Sequence, residues 1–342
     1  MAILASQSDS VRAASGSWQQ QMKWAIRDAD VLRQRLNFPA NSGLESSPNP
    51  DTIRQFPVFV PLPYLARIKP GDPQDPLLRQ VLPVSDEDES PRHFSTDPLG
   101  ESGATLRPGL LQKYNGRVLL ITTGACAVHC RYCFRRHFPY DESPSSVSQW
   151  QPAIEQIISD SSIEEVILSG GDPLTIVDEQ LGKLVEQLSR IGHLKRLRVH
   201  TRLPIMIPQR VTDQLIEILT TGPLHPIVVI HANHANELDD SVQKALRRML
   251  DAGVTLLNQT VLLRGINDDA GTMIQLSQRL LECRVMPYYL HQLDPVVGAS
   301  HFEVPREQGV ELIAAMRAAL PGYAVPRYVK EIVGEPNKTI WA

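Results

Sequence analysis

From Arg117 onward, short β-branched apolar runs alternate with helical patterns, and this alternation leaves few folds open to the chain. The runs fall at 117–123 (RVLLITT), 165–169 (EVILS), 197–201 (LRVHT), 226–232 (PIVVIHA), 255–262 (TLLNQTVL) and 284–290 (RVMPYYL). Helical periodicity occupies 147–159, 178–191, 209–220, 238–252 and 270–282, and a last helix covers 305–319. Repeated strand-helix units predict a parallel sheet with right-handed crossovers. Six of them predict an α/β fold of the partial (β/α)6 TIM-like barrel kind, with active residues at the C-terminal ends of the strands.

Ahead of the barrel the texture differs. Residues 17–36 read as one amphipathic helix capped by Ser17, with Trp18, Met22, Ile26 and Leu32 near helical spacing. Twelve of the 27 prolines lie between Pro48 and Pro108, which argues against long helices and central strands there. That stretch reads as a wrapping segment with short helices at 62–68 and 75–82. The expected organisation is an N-terminal helical and proline-rich segment over 1–107, a barrel core over 108–304, and a C-terminal helix and tail over 305–342.

The net charge of −4 gives no basic stripe for nucleic acid, and no run approaches the roughly 20 apolar residues of a membrane span. The N-terminus, MAILASQSDSVRAASGS, has no basic leader and does not read as a signal peptide. Four cysteines in a chain this long do not make a disulfide framework, so a reducing, cytoplasmic setting is expected.

Three of those cysteines stand together after the first barrel strand as Cys126-x3-Cys130-x2-Cys133. Thiolates hold iron–sulfur clusters, usually four to a cluster. Three close ones hold three irons of a [4Fe–4S] cluster and leave the fourth iron open to a chelating ligand such as the amino and carboxylate groups of S-adenosylmethionine (SAM). Tyr132 is then placed to pack on its adenine. The other readings are a zinc site with His129 as fourth ligand, or three unrelated buried thiols. Cys283 stands alone beside a strand and reads as a core thiol. The second strand ends in Ser169-Gly170-Gly171-Asp172-Pro173. By itself this is a tight turn; beside the cysteine loop its glycines let backbone approach a ligand, and Asp172 is expected to take the ammonium of SAM.

The cysteine loop and the glycine turn together resemble the radical SAM superfamily. The order CRYCFRRHF, LSGGDPL, HTRLP, HANHANE, LLNQTVLLRGIND, MPYYLHQLD, GASHF and GYAVP with a late lysine is similar to the lysine 2,3-aminomutases over 108–342. PGDPQDPLLRQVLP, FSTDPL and EIVGEPNKT resemble their shorter bacterial branch, which serves β-lysylation of elongation factor P. The resemblance implies a radical SAM barrel with a short C-terminal tail that binds pyridoxal 5′-phosphate (PLP) as a Schiff base on Lys338. It also implies an isomerase that converts L-lysine to β-lysine in the R form, with SAM regenerated, an unidentified one-electron reductant, and a link to elongation factor P and its lysine ligase.

The same resemblance implies that Lys113 and Arg117 contact the PLP phosphate, that Arg135 pairs with the substrate carboxylate, and that Asp294 and Glu331 hold its distal ammonium. Glu331 stands where the clostridial-type enzymes have aspartate, and IVGEPN replaces their glycine-rich run before the lysine. Without the resemblance these would read as strand-flanking charges, surface carboxylates and, four residues from the end, a solvated lysine. The other readings are an aminomutase for another cationic amino acid, or a non-catalytic iron–sulfur electron carrier, which needs neither the Gly-Gly-Asp turn nor Lys338.

Overall fold

The computed structural model describes residues 11–38, 48–140 and 143–342. Residues 1–10, on which the leader reading partly falls, and 39–47 of the wrapping segment lie outside them. Among the described residues, ten strands form one sheet in simple sequence order. They are β1 (Thr105–Arg107), β2 (Leu110–Tyr114), β3 (Arg117–Thr123), β4 (Glu165–Gly170), β5 (Arg196–Thr201), β6 (His225–Ile230), β7 (Thr255–Val261), β8 (Met286–His291), β9 (Arg327–Lys330) and β10 (Thr339–Ile340). From β3 to β9 every neighbouring pair is parallel. Antiparallel hairpins extend the two ends, β1-β2-β3 at one and β9-β10 at the other. The six expected strands are all present, as β3 to β8.

Helices Val147–Ser159, Asp178–Ser189, Asp213–Thr220, Asp240–Asp251, Ala270–Glu282 and Arg306–Ala319 follow the strands. Three of them start where a short polar side chain satisfies a free backbone N–H: Thr212 accepts from Leu215, Asp239 from Val242 and Asp269 from Thr272. Along β5 and β7 strictly alternate residues are buried. The buried set, including Leu197, Val199 and Leu256, joins Val118, Leu168 and Val228 in the core shared with the helices' Trp150, Leu184 and Leu246. The other set includes Arg198, His200 and Gln259. A closed TIM barrel fills its interior with layered aliphatics; here Arg198, His200 and Gln259 share the inward face with Leu257 and Val261, a mixture that suits a chamber.

The helix expected over 17–36 is two helices, Trp18–Trp24 and Ala29–Arg35. The interruption has a local cause. Asp28 accepts from the N–H groups of Asp30 and Val31 and caps the second helix, while Ile26 turns extended and exchanges both backbone hydrogen bonds with Val60. The segment then runs over the C-terminal ends of the strands. Backbone bonds from His129 to Phe59, Arg131 to Gln80 and Ser95 to Pro295 tie it to the cysteine loop and to the end of β8.

Candidate active site

Cys126, Cys130 and Cys133 follow β3 in one loop, and each is partly accessible. Burial, then Cys133, Asp172 and Cys130, push the Cys126 thiol up. Burial and Cys130 push Cys133 up to about 11. Neighbouring thiols contribute to both shifts, so the three sulfurs lie close together, and a metal cluster relieves that repulsion by taking them as thiolates. Among the described residues no three His, Cys, Asp or Glu side chains close on a single ion. Cys283 is buried, with its thiol also pushed up to about 11 by burial.

The glycine turn packs on this loop. Gly171 N–H donates to Thr123 O at 2.7 Å and Asp172 N–H to Ala125 O at 2.8 Å. A Cβ on Gly171 would stand 2.3 Å from Ala125 O, and Gly170, at φ +122°, sits as tightly on Thr123 O at 2.5 Å. The close approach the glycines permit is therefore to the cysteine loop. Asp172, expected at the SAM ammonium, has its carboxylate committed to the protein: it accepts from Thr201 Oγ1, the N–H groups of Arg202 and Leu203, and that of Leu174. It joins the end of β4 to the end of β5.

Buried cations hold the loop from the other side. Glu87 accepts from Arg131 Nε at 2.8 Å and from Arg136 Nη2 at 2.8 Å. Arg202, from the HTRLP stretch, donates to Cys130 Sγ at 2.8 Å and to Glu237 Oε2 at 2.7 Å. Sequence reasoning missed Arg202, Glu237 and Glu87; the position of Arg202 directly after β5 was the available signal for the first. Tyr132 is buried edge-on to Phe302, and its hydroxyl accepts from Asn233 Nδ2 at 2.6 Å.

Deeper in the barrel, the tail returns. After β9 the chain loops out and β10 pairs back on β9, with Thr339 opposite Lys330, so Lys338 is carried inward. Its ammonium donates to one oxygen of Glu331, and Lys113 Nζ donates to the other at 2.7 Å. Burial would push Glu331 up, but Lys338 and Lys113 together hold it down at about 2. Asp294 is pushed up by burial, against the pull of Lys330, whose Nζ is 3.3 Å away. Arg117 lies over the Tyr114 ring at 4.5 Å.

Arg135 is already engaged. Its Nε and Nη2 donate to the two oxygens of Glu101 at 2.7 and 2.8 Å, and Nη1 donates to Ser169 Oγ at 2.9 Å. Three imidazoles stand near one another: the His200 and His231 rings are 5.8 Å apart, and His231 and Lys338 both act on His291. Burial drives His231 down to about 3, helped by Arg202 and Arg135. His200 and His291 are lowered too, by burial first and then chiefly by His231 and Lys338 respectively. Among the described residues, the Nε2 atoms of His200 and His291 are buried without a hydrogen-bond partner. Orphaned polar atoms beside a fixed lysine fit a polar cofactor or substrate in the chamber.

The chain matches the model of the radical SAM superfamily over residues 120–276. It is 45% identical over 326 residues to L-lysine 2,3-aminomutase of Haemophilus influenzae, covering 95% of this chain and 96% of that one. Its identity to the Escherichia coli K12 enzyme of the same name is also 45%, over 94% of this chain and 93% of that one. The Clostridium subterminale enzyme is 34% identical, over 94% of this chain and 77% of its own length.

Proposed function

The chain belongs to the lysine 2,3-aminomutases of the radical SAM superfamily, and from that premise we propose that it moves the α-amino group of L-lysine to Cβ, giving β-lysine in the R form. The observation that carries this reading is Lys338, which the pairing of β10 on β9 holds against Glu331, near His200 and His291. An electron carrier has no use for a lysine so placed.

The family's cofactors supply the difficult chemistry: a [4Fe–4S] cluster with SAM provides a 5′-deoxyadenosyl radical, and PLP carries the migrating nitrogen. The protein's part is to hold, orient and enclose. Cys126, Cys130 and Cys133 are the cluster ligands in this reading, with Gly170, Gly171 and Asp172 setting the loop that bears them and Tyr132 beside SAM. Lys338 is the PLP attachment point, and Lys113 and Arg117 are the cations for its phosphate. Arg135 takes the carboxylate of lysine. Asp294 and Glu331 take its distal ammonium, which favours a cationic side chain. The segment laid over the strand ends keeps water from the chamber.

The destination of the product is part of the same proposal. The chain is 45% identical to its Haemophilus and Escherichia relatives but 34% identical to the clostridial one. That favours the shorter bacterial branch, whose product reaches elongation factor P through a lysine ligase. The test is an anaerobic assay of the reconstituted protein with iron, sulfide, SAM, PLP, a strong reductant and L-lysine, with chiral chromatography of the products. SAM- and PLP-dependent (R)-β-lysine is the expected result. No β-lysine from protein with verified cluster and PLP would discard lysine and turn attention to other cationic amino acids.

A further inference from the structure

We propose that Glu101, on the N-terminal segment, is the positioning residue that fixes Arg135 for the substrate carboxylate, so that this segment supplies part of the substrate site as well as its cover. The proposal rests on the reading of Arg135 given above.

A guanidinium has a side edge, formed by Nε and one terminal nitrogen, and an end edge, formed by the two terminal nitrogens. Glu101 takes the side edge with both oxygens, at 2.7 Å to Nε and 2.8 Å to Nη2. Ser169 Oγ accepts from Nη1 at 2.9 Å. The remaining contact, Nη1 to Gly170 O, is 3.4 Å long. It is the weakest of the set, and Gly170 O already accepts from Tyr140 Oη at 2.9 Å. A carboxylate arriving at the end edge can replace that contact without leaving the carbonyl unsatisfied. Fixing one edge in advance leaves less side-chain freedom to lose when the other edge binds.

Glu101 itself is built to stay. It is 5% exposed. Its backbone N–H donates to Asp97 Oδ1 at 2.9 Å, and Ser102 donates to Asp97 Oδ2 through both N and Oγ. The preceding Gly100 turns at φ +58°. Lys113 lies 3.5 Å from Glu101 Oε1, so this one carboxylate also helps balance a second, partly buried cation. Displacing it with substrate would strand a buried carboxylate, which argues for a support and against a competitor.

The test compares L-lysine with L-lysinamide, which lacks the carboxylate, on holoenzyme carrying cluster and PLP, read by the change in PLP absorbance on titration. Wild-type protein should prefer lysine. Glu101→Gln should reduce that preference on the order of tenfold, the loss expected when a charged hydrogen-bonding group is left misplaced, with lysinamide binding unchanged. Glu101→Asp keeps the charge but not the reach, and should fall between; it also serves if Glu101→Gln does not fold. An unchanged preference in the Glu101 variants, with Arg135→Lys lowering it, would overturn the proposal and leave Glu101 a fold residue. Tighter lysine binding in Glu101→Gln would make it a competitor, again overturning it. If Arg135→Lys also leaves the preference intact, the reading of Arg135 fails first and the proposal falls with it.

Discussion

Arg202 Nη1 donates to Cys130 Sγ across 2.8 Å, joining the end of β5 to the middle cysteine of the loop after β3. Its other terminal nitrogen is spent on Glu237 and Gln80, so the guanidinium cannot swing away cheaply. A fixed cation donating to a ligand sulfur stabilises the more negative, reduced form of an iron–sulfur cluster. Arg202→Gln should therefore bind iron normally but show a more negative cluster potential. Redox titration followed by electron paramagnetic resonance checks this; an unchanged potential would mean that Arg202 only braces the loop.

Gly171 leads to a second expectation. Its Cβ position is 2.3 Å from Ala125 O and 2.8 Å from the carbonyl carbons of Ala125 and Gly124, all backbone of the loop that bears Cys126. Backbone cannot yield as a flexible side chain does, so Gly171→Ala should displace the loop and lower the iron bound per chain on reconstitution. Gly182→Ala is the control. Its new methyl meets Ile218 at an ordinary 3.6 Å, inside a helix that alanine favours. Cys283→Ala, away from the loop, should also keep its iron, whereas Cys130→Ala should lose it.

Glu87 is fully buried between two arginines, and Arg131 is equally enclosed. Removing the carboxylate leaves two cations in the interior without their counter-charge. Breaking a buried pair in this way costs about 3–5 kcal/mol. Glu87→Gln should lower the thermal midpoint accordingly and loosen the wrapping segment from the cysteine loop, which limited proteolysis near Arg79 to Arg92 would report.

The sequence disclosed the strands of the barrel because each combines β-branched residues with a following helical period. It did not disclose β1, β2, β9 and β10. These have between two and five residues, too few for a period, and Pro108 and Gly109 break the first hairpin. The helix over 17–36 was read as continuous because its apolar spacing is; the break is set by Asp28 and by a bridge to Val60, a partner outside the window. The cysteine triplet was evident because its three thiols stand close together in the chain. Glu87, Glu101 and Arg202 were not, because each gains its meaning from a partner 34 to 72 residues away. Only the fold reveals that Asp172 braces two strands, since the turn by itself does not show which donors will surround the carboxylate.

The imidazoles of the chamber set a pH dependence. His231 titrates at about 3 in the fold, against an ordinary value of 6.5, because burial and then Arg202 and Arg135 oppose its charging. Between about pH 6.5 and 3 the unfolded chain therefore holds more protons than the folded one, and stability falls as pH falls through that window. His200 and His291 are lowered in the same sense and add to the slope. Glu331, held at about 2 against an ordinary 4.5, extends the loss below pH 4.5. Guanidinium unfolding of the cofactor-free protein should thus show a midpoint that drops steadily on acidification. His231→Asn, which removes one depressed group, should drop less than wild type between neutral pH and pH 4.5 and the same below pH 3, where the imidazole is protonated in both states. Parallel curves for the two proteins across the upper window would show that His231 is not held neutral by the fold.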